Sequence, residues 1–489
     1  MDLNEFWSEF LTILNKCYRK IDARFSGKNE QNNVLQEISP DLYCAINKYE
    51  KVLDLPRLEK IHKNAFSSRS NLKKIIIPDS VKIIESGAFA NCHDLEEIVL
   101  YNGLTQIKSD AFLNCEKLKK ITVKTSEGTI YPWLFEQMIN LEEIVFKNGV
   151  SSIEPSVFES KKALKKVILP HNLKTIAKRL FYNCSNLEYV ELGESLEIIE
   201  ESAFENCLKL HIEMPKNVVS IGTRAFYNCQ NLQNIVLPST LQYIKQSSFS
   251  NCTGLVKMII PGMVMEIEED AFNNCKNLRD VKIEENTKII GIKAFSECDN
   301  LLTVTLSNTI TQIRKEAFFK CTKLQGVTIP STVKIIAEYS FSECENMEEL
   351  MIENGVEVIE QYAFSECKKL VKIFIPSSVR NICNNAFSYC INVNSFAFDS
   401  SSKGEIEIGE NALFECSALE EIALPQNLRT IEQGTFQNCC NLKKVDLNEG
   451  LEVIENNAFQ NCIKLEKIEM PESVKSLGSH AFEKCKSLI

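Results

Sequence analysis

Several features that mark enzymes and cofactor-binding proteins are missing from this sequence. Its 489 residues include only 17 glycines, and no glycine-rich segment has the spacing of a phosphate-binding loop. The five histidines stand at unrelated positions and bring no cysteine, serine or carboxylate at a motif spacing. No two cysteines have the Cys-x-x-Cys spacing of a zinc site. The sequence therefore predicts no catalytic residue, no metal ligand and no cofactor.

Long apolar runs and clusters of basic residues are lacking as well. No stretch approaches the roughly 20 apolar residues that a membrane-spanning helix needs. The chain begins Met-Asp-Leu-Asn-Glu, with acids where a secretory signal would carry positive charge. The formal net charge is −11, and the lysines and arginines are dispersed among acids, which argues against a nucleic-acid partner. From the residues alone we predict no membrane span and a cytoplasmic location.

What the sequence does contain is a repeat of 23 residues. A marker phenylalanine, usually preceded by alanine, recurs along the chain at intervals of 23 residues, with one interval of 22 and one of 26. The marker residues are Phe66, Phe89, Phe112, Phe135, Phe158, Phe181, Phe204, Phe226, Phe249, Phe272, Phe295, Phe318, Phe341, Phe364, Phe387, Leu413, Phe436, Phe459 and Phe482. A fixed period of this length predicts a repeat solenoid of about nineteen units.

Each unit has the pattern of one strand followed by a turn. In the run from Leu95 to Leu100, apolar residues occupy alternating positions at the end, and either proline or Asn-Gly follows the strand in many units. So short a unit cannot bury its own apolar residues. Successive units must therefore stack, with their parallel strands forming a sheet along one face.

The repeat resembles a known family. From Cys229 onward the sequence follows the pattern Cys-x-x-Leu-x-x-Ile-x-Leu-Pro-x-x-Leu-x-x-Ile and then reaches Phe249. This string is similar to the BspA-like, 23-residue class of leucine-rich repeats, and the similarity covers roughly residues 55 to 489. The resemblance implies a leucine-rich-repeat horseshoe or curved rod. It also implies a surface antigen or adhesin that binds host matrix or cell-surface proteins.

The two ends of the chain give separate predictions. Residues 1–54 are predicted to be a helical cap, with a second helix around Leu42 to Leu53, ahead of a repeat domain over residues 55–489. The first helix is indicated by apolar residues at three- and four-residue steps: Leu3, Phe6, Trp7, Phe10, Leu14, Cys17, Tyr18 and Ile21. The chain stops at Ile489, where another strand should begin, so either the protein is longer or a partner or a second copy closes the last unit.

Most of the 20 cysteines occupy one position, three residues after the marker. In a stacked solenoid they form a ladder whose parallel side chains suit disulfides poorly. We predict free, buried thiols that fill a crowded interior as small apolar groups.

The outward-facing strand positions change character along the chain. Early units alternate in charge, as in Lys73-Lys74 followed by Glu96-Glu97, and the pleat predicts that Glu97 and Val99 face solvent. The middle units are less charged there. Their residues are Ile259, Leu302, Thr305, Thr328, Met351, Val371, Phe374 and Ala397. This set is either a protein-binding patch or a set of residues that simply suit strands; an exposed methionine and phenylalanine favour binding.

These observations predict a non-enzymatic protein that recognises a protein or glycan through the concave sheet of its solenoid. The family resemblance indicates adhesion at the cell surface. The alternative is an intracellular scaffold for protein–protein interaction, which the cytoplasmic prediction and the free thiols favour. Self-association through the open C-terminal end is a further possibility.

Overall fold

The computed structural model describes residues 52–54, 58–101, 103–108, 110–124, 128–136, 138–147, 149–401 and 404–489. The chain divides into two compact units, residues 1–196 (unit 1) and residues 197–489 (unit 2). The predicted helical cap lies outside the described residues, apart from Val52–Asp54. Those three residues form a strand that pairs in parallel with Lys74–Ile77, so a helix running to Leu53 is not supported there.

Each repeat is one turn, or rung, of a parallel-strand solenoid, and most rungs contribute a long strand of two to five residues. In unit 1 the long strands are Val52–Asp54, Lys74–Ile77, Glu97–Tyr101, Lys120–Lys124, Glu143–Phe146, Lys166–Ile168 and Tyr189–Glu191. In unit 2 they are Lys257–Ile260, Asp280–Ile283, Thr303–Thr305, Gly326–Ile329, Glu349–Ile352, Lys372–Ile375, Ser395–Phe398, Glu421–Ala423, Lys444–Asp446 and Lys467–Ile468. The predicted parallel sheet on one face is confirmed by pairs such as Ile75 with Ile98.

A second row of short strands, which we did not predict, runs along another side of each unit. In unit 1 these strands are Lys60–Ile61, Ile83–Ile84, Gln106–Ile107, Gly128–Ile130, Val150–Ile153 and Thr175–Ile176. In unit 2 they are Ile198–Ile199, Ser220–Ile221, Tyr243–Ile244, Glu266–Ile267, Ile289–Ile290, Gln312–Ile313, Ile335–Ile336, Val358–Ile359, Asn381–Ile382, Glu407–Ile408, Thr430–Ile431, Val453–Ile454 and Ser476–Leu477. In most of these strands the last residue, such as Ile267, is buried in the core.

The third side of a rung is a tight turn around the marker phenylalanine. The residues two before and two after it have positive φ, as in Gly87 (65°) and Asn91 (59°) around Phe89. Asparagine tolerates this left-handed conformation better than most residues. The Phe89 and Asn91 amides each donate to a carbonyl of the next rung, at 2.8 Å. These bonds hold the turns of successive rungs in register.

The turn hydrogen bonds persist where the repeat changes length. Across the 22-residue interval the Phe204 amide donates to the Ala225 carbonyl at 2.8 Å, and across the 26-residue interval the Phe387 amide donates to the Ala412 carbonyl at 2.9 Å. Deletions and insertions are therefore absorbed away from the turn.

The interior is filled by stacked phenylalanines and a ladder of thiols. The rings of Phe249 and Phe272 lie parallel with centroids 5.2 Å apart, and both side chains are fully buried. The Cys252 Sγ donates to the Phe226 carbonyl of the preceding rung at 3.0 Å. The cysteines that the structure describes are free, as we predicted, and most are buried. The role of ladder thiols such as Cys252 and Cys275 exceeds that of a small apolar group, because each also donates a hydrogen bond to a carbonyl inside the core.

Candidate functional site

The long strands of unit 2 send alternate side chains inward and outward. In Lys372–Ile375 the side chains of Ile373 and Ile375 are buried, whereas Lys372 and Phe374 are exposed. The parallel register places Phe374 beside Ala397 and Thr328 beside Met351. The outer face is therefore built as rows of residues, with one member from each rung.

The predicted residues fall into two such rows. Leu302 and Val371 directly precede their strands and form one row, in which Leu302 is half-buried. The other row holds Ile259, Thr305, Thr328, Met351, Phe374 and Ala397, all of them exposed. Lys282 pairs with Ile259 on one side and with Thr305 on the other, so it separates Ile259 from the rest. We call the five consecutive residues Thr305, Thr328, Met351, Phe374 and Ala397 the central patch.

Two large side chains stand out in the central patch. Met351 is 61% exposed and Phe374 is 53% exposed, although both are apolar. Charged residues stand beside them, and Lys369 Nζ lies 3.8 Å from Glu348 Oε1. An apolar centre with a charged border is the composition of a protein interface.

Sequence reasoning missed two exposed residues of the same face. Val236, one rung before Ile259 in the same row, is 79% exposed, and Val256 is also exposed. The run Ile235-Val236-Leu237-Pro238 carries the signal that would have found the first, because it matches Met258-Ile259-Ile260-Pro261.

The outer face of unit 1 differs from the prediction. Val99, expected to face solvent, is only 4% exposed, and Thr122 and Val145 of the same row are also buried. Val99 lies between the long side chains of Glu97 and Tyr101 on the same face, and Thr122 Oγ1 donates to Glu97 Oε1 at 3.3 Å. The prediction failed because alternation along a strand does not account for cover by neighbouring side chains.

Charge pairing in unit 1 follows the predicted alternation. Lys74 Nζ lies 2.9 Å from Glu97 Oε2, and Glu142 sits between Lys119 (2.6 Å) and Lys165 (2.7 Å). Hydrogen bonds from these two lysines hold the pKa of Glu142 below its usual value. The face is thus a network of ion pairs across strands.

The described residues hold neither a metal site nor a membrane-spanning helix. Among the described residues, no group of three or more histidine, cysteine, aspartate or glutamate side chains could hold a metal ion. Within the same parts of the chain, no helix has the length and apolar character needed to cross a membrane.

The sequence matches the family profile described as "BspA type Leucine rich repeat region (6 copies)" over residues 59–188, 152–279, 265–394 and 359–489. The chain belongs to the BspA-type leucine-rich repeat family. This membership confirms the resemblance drawn from the repeat and the solenoid class of fold. No functionally curated protein shows significant similarity to the sequence.

Solved leucine-rich repeat structures resemble this BspA-type chain at low identity. A leucine-rich repeat protein from Bacteroides ovatus is 23% identical over 69% of this chain and 81% of its own, with a TM-score of 0.49. A leucine rich cell surface protein from Faecalibacterium prausnitzii is 24% identical over 72% of this chain and 89% of its own, with a TM-score of 0.32. The T. pallidum leucine-rich repeat protein is 24% identical over 35% of this chain and 81% of its own, also with a TM-score of 0.32.

Proposed function

We propose that this BspA-type protein is a non-enzymatic recognition protein whose central patch binds a protein partner. The observation that carries the proposal is the exposure of Met351 and Phe374 on strands of successive rungs, beside the small side chains of Thr328 and Ala397. Covering apolar side chains of this size on contact is favourable, at about 25 cal/mol per Å² of apolar surface removed from water. Methionine and phenylalanine are enriched in protein interfaces relative to the rest of the protein surface.

A protein fits the central patch better than a glycan does. The side chains of Met351 and Phe374 carry no hydrogen-bonding hydroxyl or amide, and they project from a strand face instead of lining a cleft. A partner protein can supply apolar side chains to cover them and charges to pair with Glu348 and Lys369 at the border.

Within this proposal, family membership supports adhesion at a cell surface, and the intracellular scaffold is its alternative. The thiol ladder does not distinguish the two locations. The Cys252 thiol donates to a carbonyl, and burial raises the pKa of Cys252 to about 12. Because the thiolate is the form that oxidises, such thiols persist in reducing and oxidising surroundings alike.

Site-specific photocrosslinking tests the central patch. Benzoylphenylalanine in place of Phe374 should crosslink one partner protein in an extract of the source cells, and the same probe at Ile139 should not. Ile139 is a matched control because it is also an exposed apolar residue but lies in unit 1. Met351→Glu should reduce the crosslinked product from position 374 by at least about tenfold. Equal crosslinking from both positions, or no effect of Met351→Glu, would contradict the proposal.

The location is tested with a membrane-impermeant, amine-reactive reagent on intact source cells. Labelling of the protein before lysis would support adhesion at the surface. Protection until lysis would instead support the scaffold.

A further inference from the structure

The row of short strands in unit 1 is interrupted at one rung. Gln106–Ile107 ends a row that includes Lys60–Ile61 and Ile83–Ile84, whereas Gly128–Ile130 pairs with Val150–Ile153 in a separate row. After the break the regular turn is replaced by a 3-10 turn over Pro132–Leu134. Three residues after its marker phenylalanine, where most rungs have the cysteine of the thiol ladder, this rung has Met138.

A cavity of about 400 Å³ opens at this break. Its floor is formed by Leu100, Val123 and Ile130 of the two strand rows and by Leu134 of the 3-10 turn, and all four are almost fully buried. Ligand sites of small molecules begin at about 300 Å³ and are mainly apolar, with a few polar groups. The cavity therefore has the size and the lining of a site for a small molecule.

Three aromatic side chains line the cavity above that floor. The rings of Tyr131 and Trp133 are nearly parallel, at an interplanar angle of 11°, with centroids 6.5 Å apart. Tyr131 is 47% exposed, and Tyr101 stands on the other side of the break. Aromatic faces carry partial negative charge, so they attract the weakly positive C–H groups on one face of a sugar ring.

The polar groups of the cavity are hydroxyls. Thr105 Oγ1 donates to the Lys82 carbonyl at 2.9 Å, which leaves its lone pairs available as acceptors. Thr129 Oγ1 lies 2.7 Å from Ser152 Oγ, and the two tyrosines add phenol groups. Among the described residues that line this cavity, none carries a charged side chain, although Lys124 Nζ lies 5.5 Å from the ring centroid of Tyr101. An ionic group would thus have no charged partner among the described lining residues themselves.

We propose that this cavity binds a neutral carbohydrate, with the C–H face of one pyranose ring against Trp133 and Tyr131. Such a ring offers apolar C–H groups on its faces and hydroxyls at its edge, which matches the aromatic walls and the hydroxyl lining. A second cavity, of about 300 Å³, also has Trp133 in its lining, together with the charged residues Glu136, Glu159 and Lys161. Sugar units joined in a chain can therefore contact the indole from both cavities. This site lies in unit 1 and does not rest on the central patch.

Saturation-transfer NMR with neutral disaccharides tests the proposal on the full chain. The probes are cellobiose, maltose, lactose and diacetylchitobiose, with benzyl alcohol as a neutral aromatic probe. At least one disaccharide should receive saturation at its ring C–H protons and should shift the fluorescence of Trp133 in a Trp7→Phe background. Trp133→Ala should weaken this binding by about tenfold or more, and Tyr189→Ala, an exposed tyrosine of unit 1 outside the cavity, should leave it unchanged.

A second variant separates loss of binding from loss of folding. Thr105→Trp fills the mouth of the cavity but keeps Trp133 and Tyr131, so it should abolish binding while the thermal unfolding midpoint stays near that of the wild type. Three results would overturn the proposal. These are no binding of any disaccharide at millimolar concentration, binding of benzyl alcohol alone, and disaccharide binding that survives both Trp133→Ala and Thr105→Trp.

Discussion

The strand position ten residues after the marker phenylalanine has opposite character in the two units. In unit 1 it holds Val99, Thr122 and Val145, which are buried, and in unit 2 it holds Met351 and Phe374, which are exposed. Both sets lie on parallel strands of similar sequence pattern. The difference shows that alternation along a strand assigns a side but does not determine exposure.

The residues that flank the row explain part of this difference. Val99 and Thr122 are flanked on the same face by Tyr101 and Lys124, because their strands run on to those residues. The strands of Thr328 and Phe374 end one residue later, at Ile329 and Ile375, and the buried prolines Pro330 and Pro376 follow them. Proline cannot donate to a strand ladder and carries no long side chain. At these two rungs of unit 2 the position after the strand thus offers no long side chain to cover the face.

We expect the largest difference in stability when aspartate is placed at the equivalent outward strand position of each unit. Val99→Asp buries a carboxylate without a matched partner, so it should lower the free energy of unfolding of unit 1 by about 3–5 kcal/mol. Met351→Asp, on an exposed position, should change the stability of unit 2 by no more than about 0.5 kcal/mol. Hydrogen exchange of peptides from each unit in urea measures the two separately. Equal losses of stability in the two units would contradict the difference in exposure between Val99 and Met351.

The interior thiols should make unit 2 sensitive to alkali. Burial raises the pKa of Cys298 from its ordinary value of 9.0 to about 12, so its thiol stays protonated in the folded state while the unfolded chain ionises. The stability it contributes is complete below pH 9 and falls as the pH rises toward 12, by about 1.4 kcal/mol per pH unit for one thiol.

Cys298→Ser is the matched variant for this prediction. The serine hydroxyl can still donate to the Phe272 carbonyl but does not ionise in this pH range. The dependence of the free energy of unfolding on pH should therefore lose the contribution of one ionising thiol. The rung of unit 1 that carries Met138 has no thiol at this position and should show no such local dependence. If the pH dependence of stability were the same in Cys298→Ser as in the wild type, its assignment to the Cys298 thiol would be wrong.

The smallest effect is expected from the ion pairs of unit 1. Glu142→Gln removes a carboxylate held by Lys119 and Lys165 and should cost about 0.5–1 kcal/mol at low salt, less at high salt. Because the pKa of Glu142 is lowered, the wild-type contribution is present at neutral pH and is lost as the pH falls through the folded-state pKa. Glu348→Gln, whose only ion pair among the described contacts measures 3.8 Å, should leave urea unfolding unchanged.

The sequence was sufficient to predict the elements that repeat. The spacing of the phenylalanines predicted the stacked rungs, and the alternation around Ile98 predicted the parallel sheet and its inward side. The common position of Cys252 and its equivalents predicted a buried ladder of free thiols. These features follow from periodicity alone, because each rung must present the same groups to the next.

Features that belong to a single rung, or that depend on backbone conformation, could not be predicted from the periodic pattern of the sequence. Two-residue strands such as Glu266–Ile267 are too short to leave an alternating pattern. The paired left-handed residues include Arg224 and Tyr339, whose types do not indicate positive φ. The cavity beside Trp133 arises in a repeat that departs from the consensus sequence. A periodic pattern does not predict a feature that occurs in one repeat alone.

The hydrogen-bonded turns have a consequence for how such a protein can evolve. Most rungs that the structure describes present amides on one side and carbonyls on the other, as Phe89 and Ala111 do, and the pattern is kept across repeat intervals of 22, 23 and 26 residues. Duplication or loss of a whole rung recreates the same joint between the neighbours that remain. We therefore expect related genes to differ in number of rungs, with any functional surface shifted along the array but not dismantled.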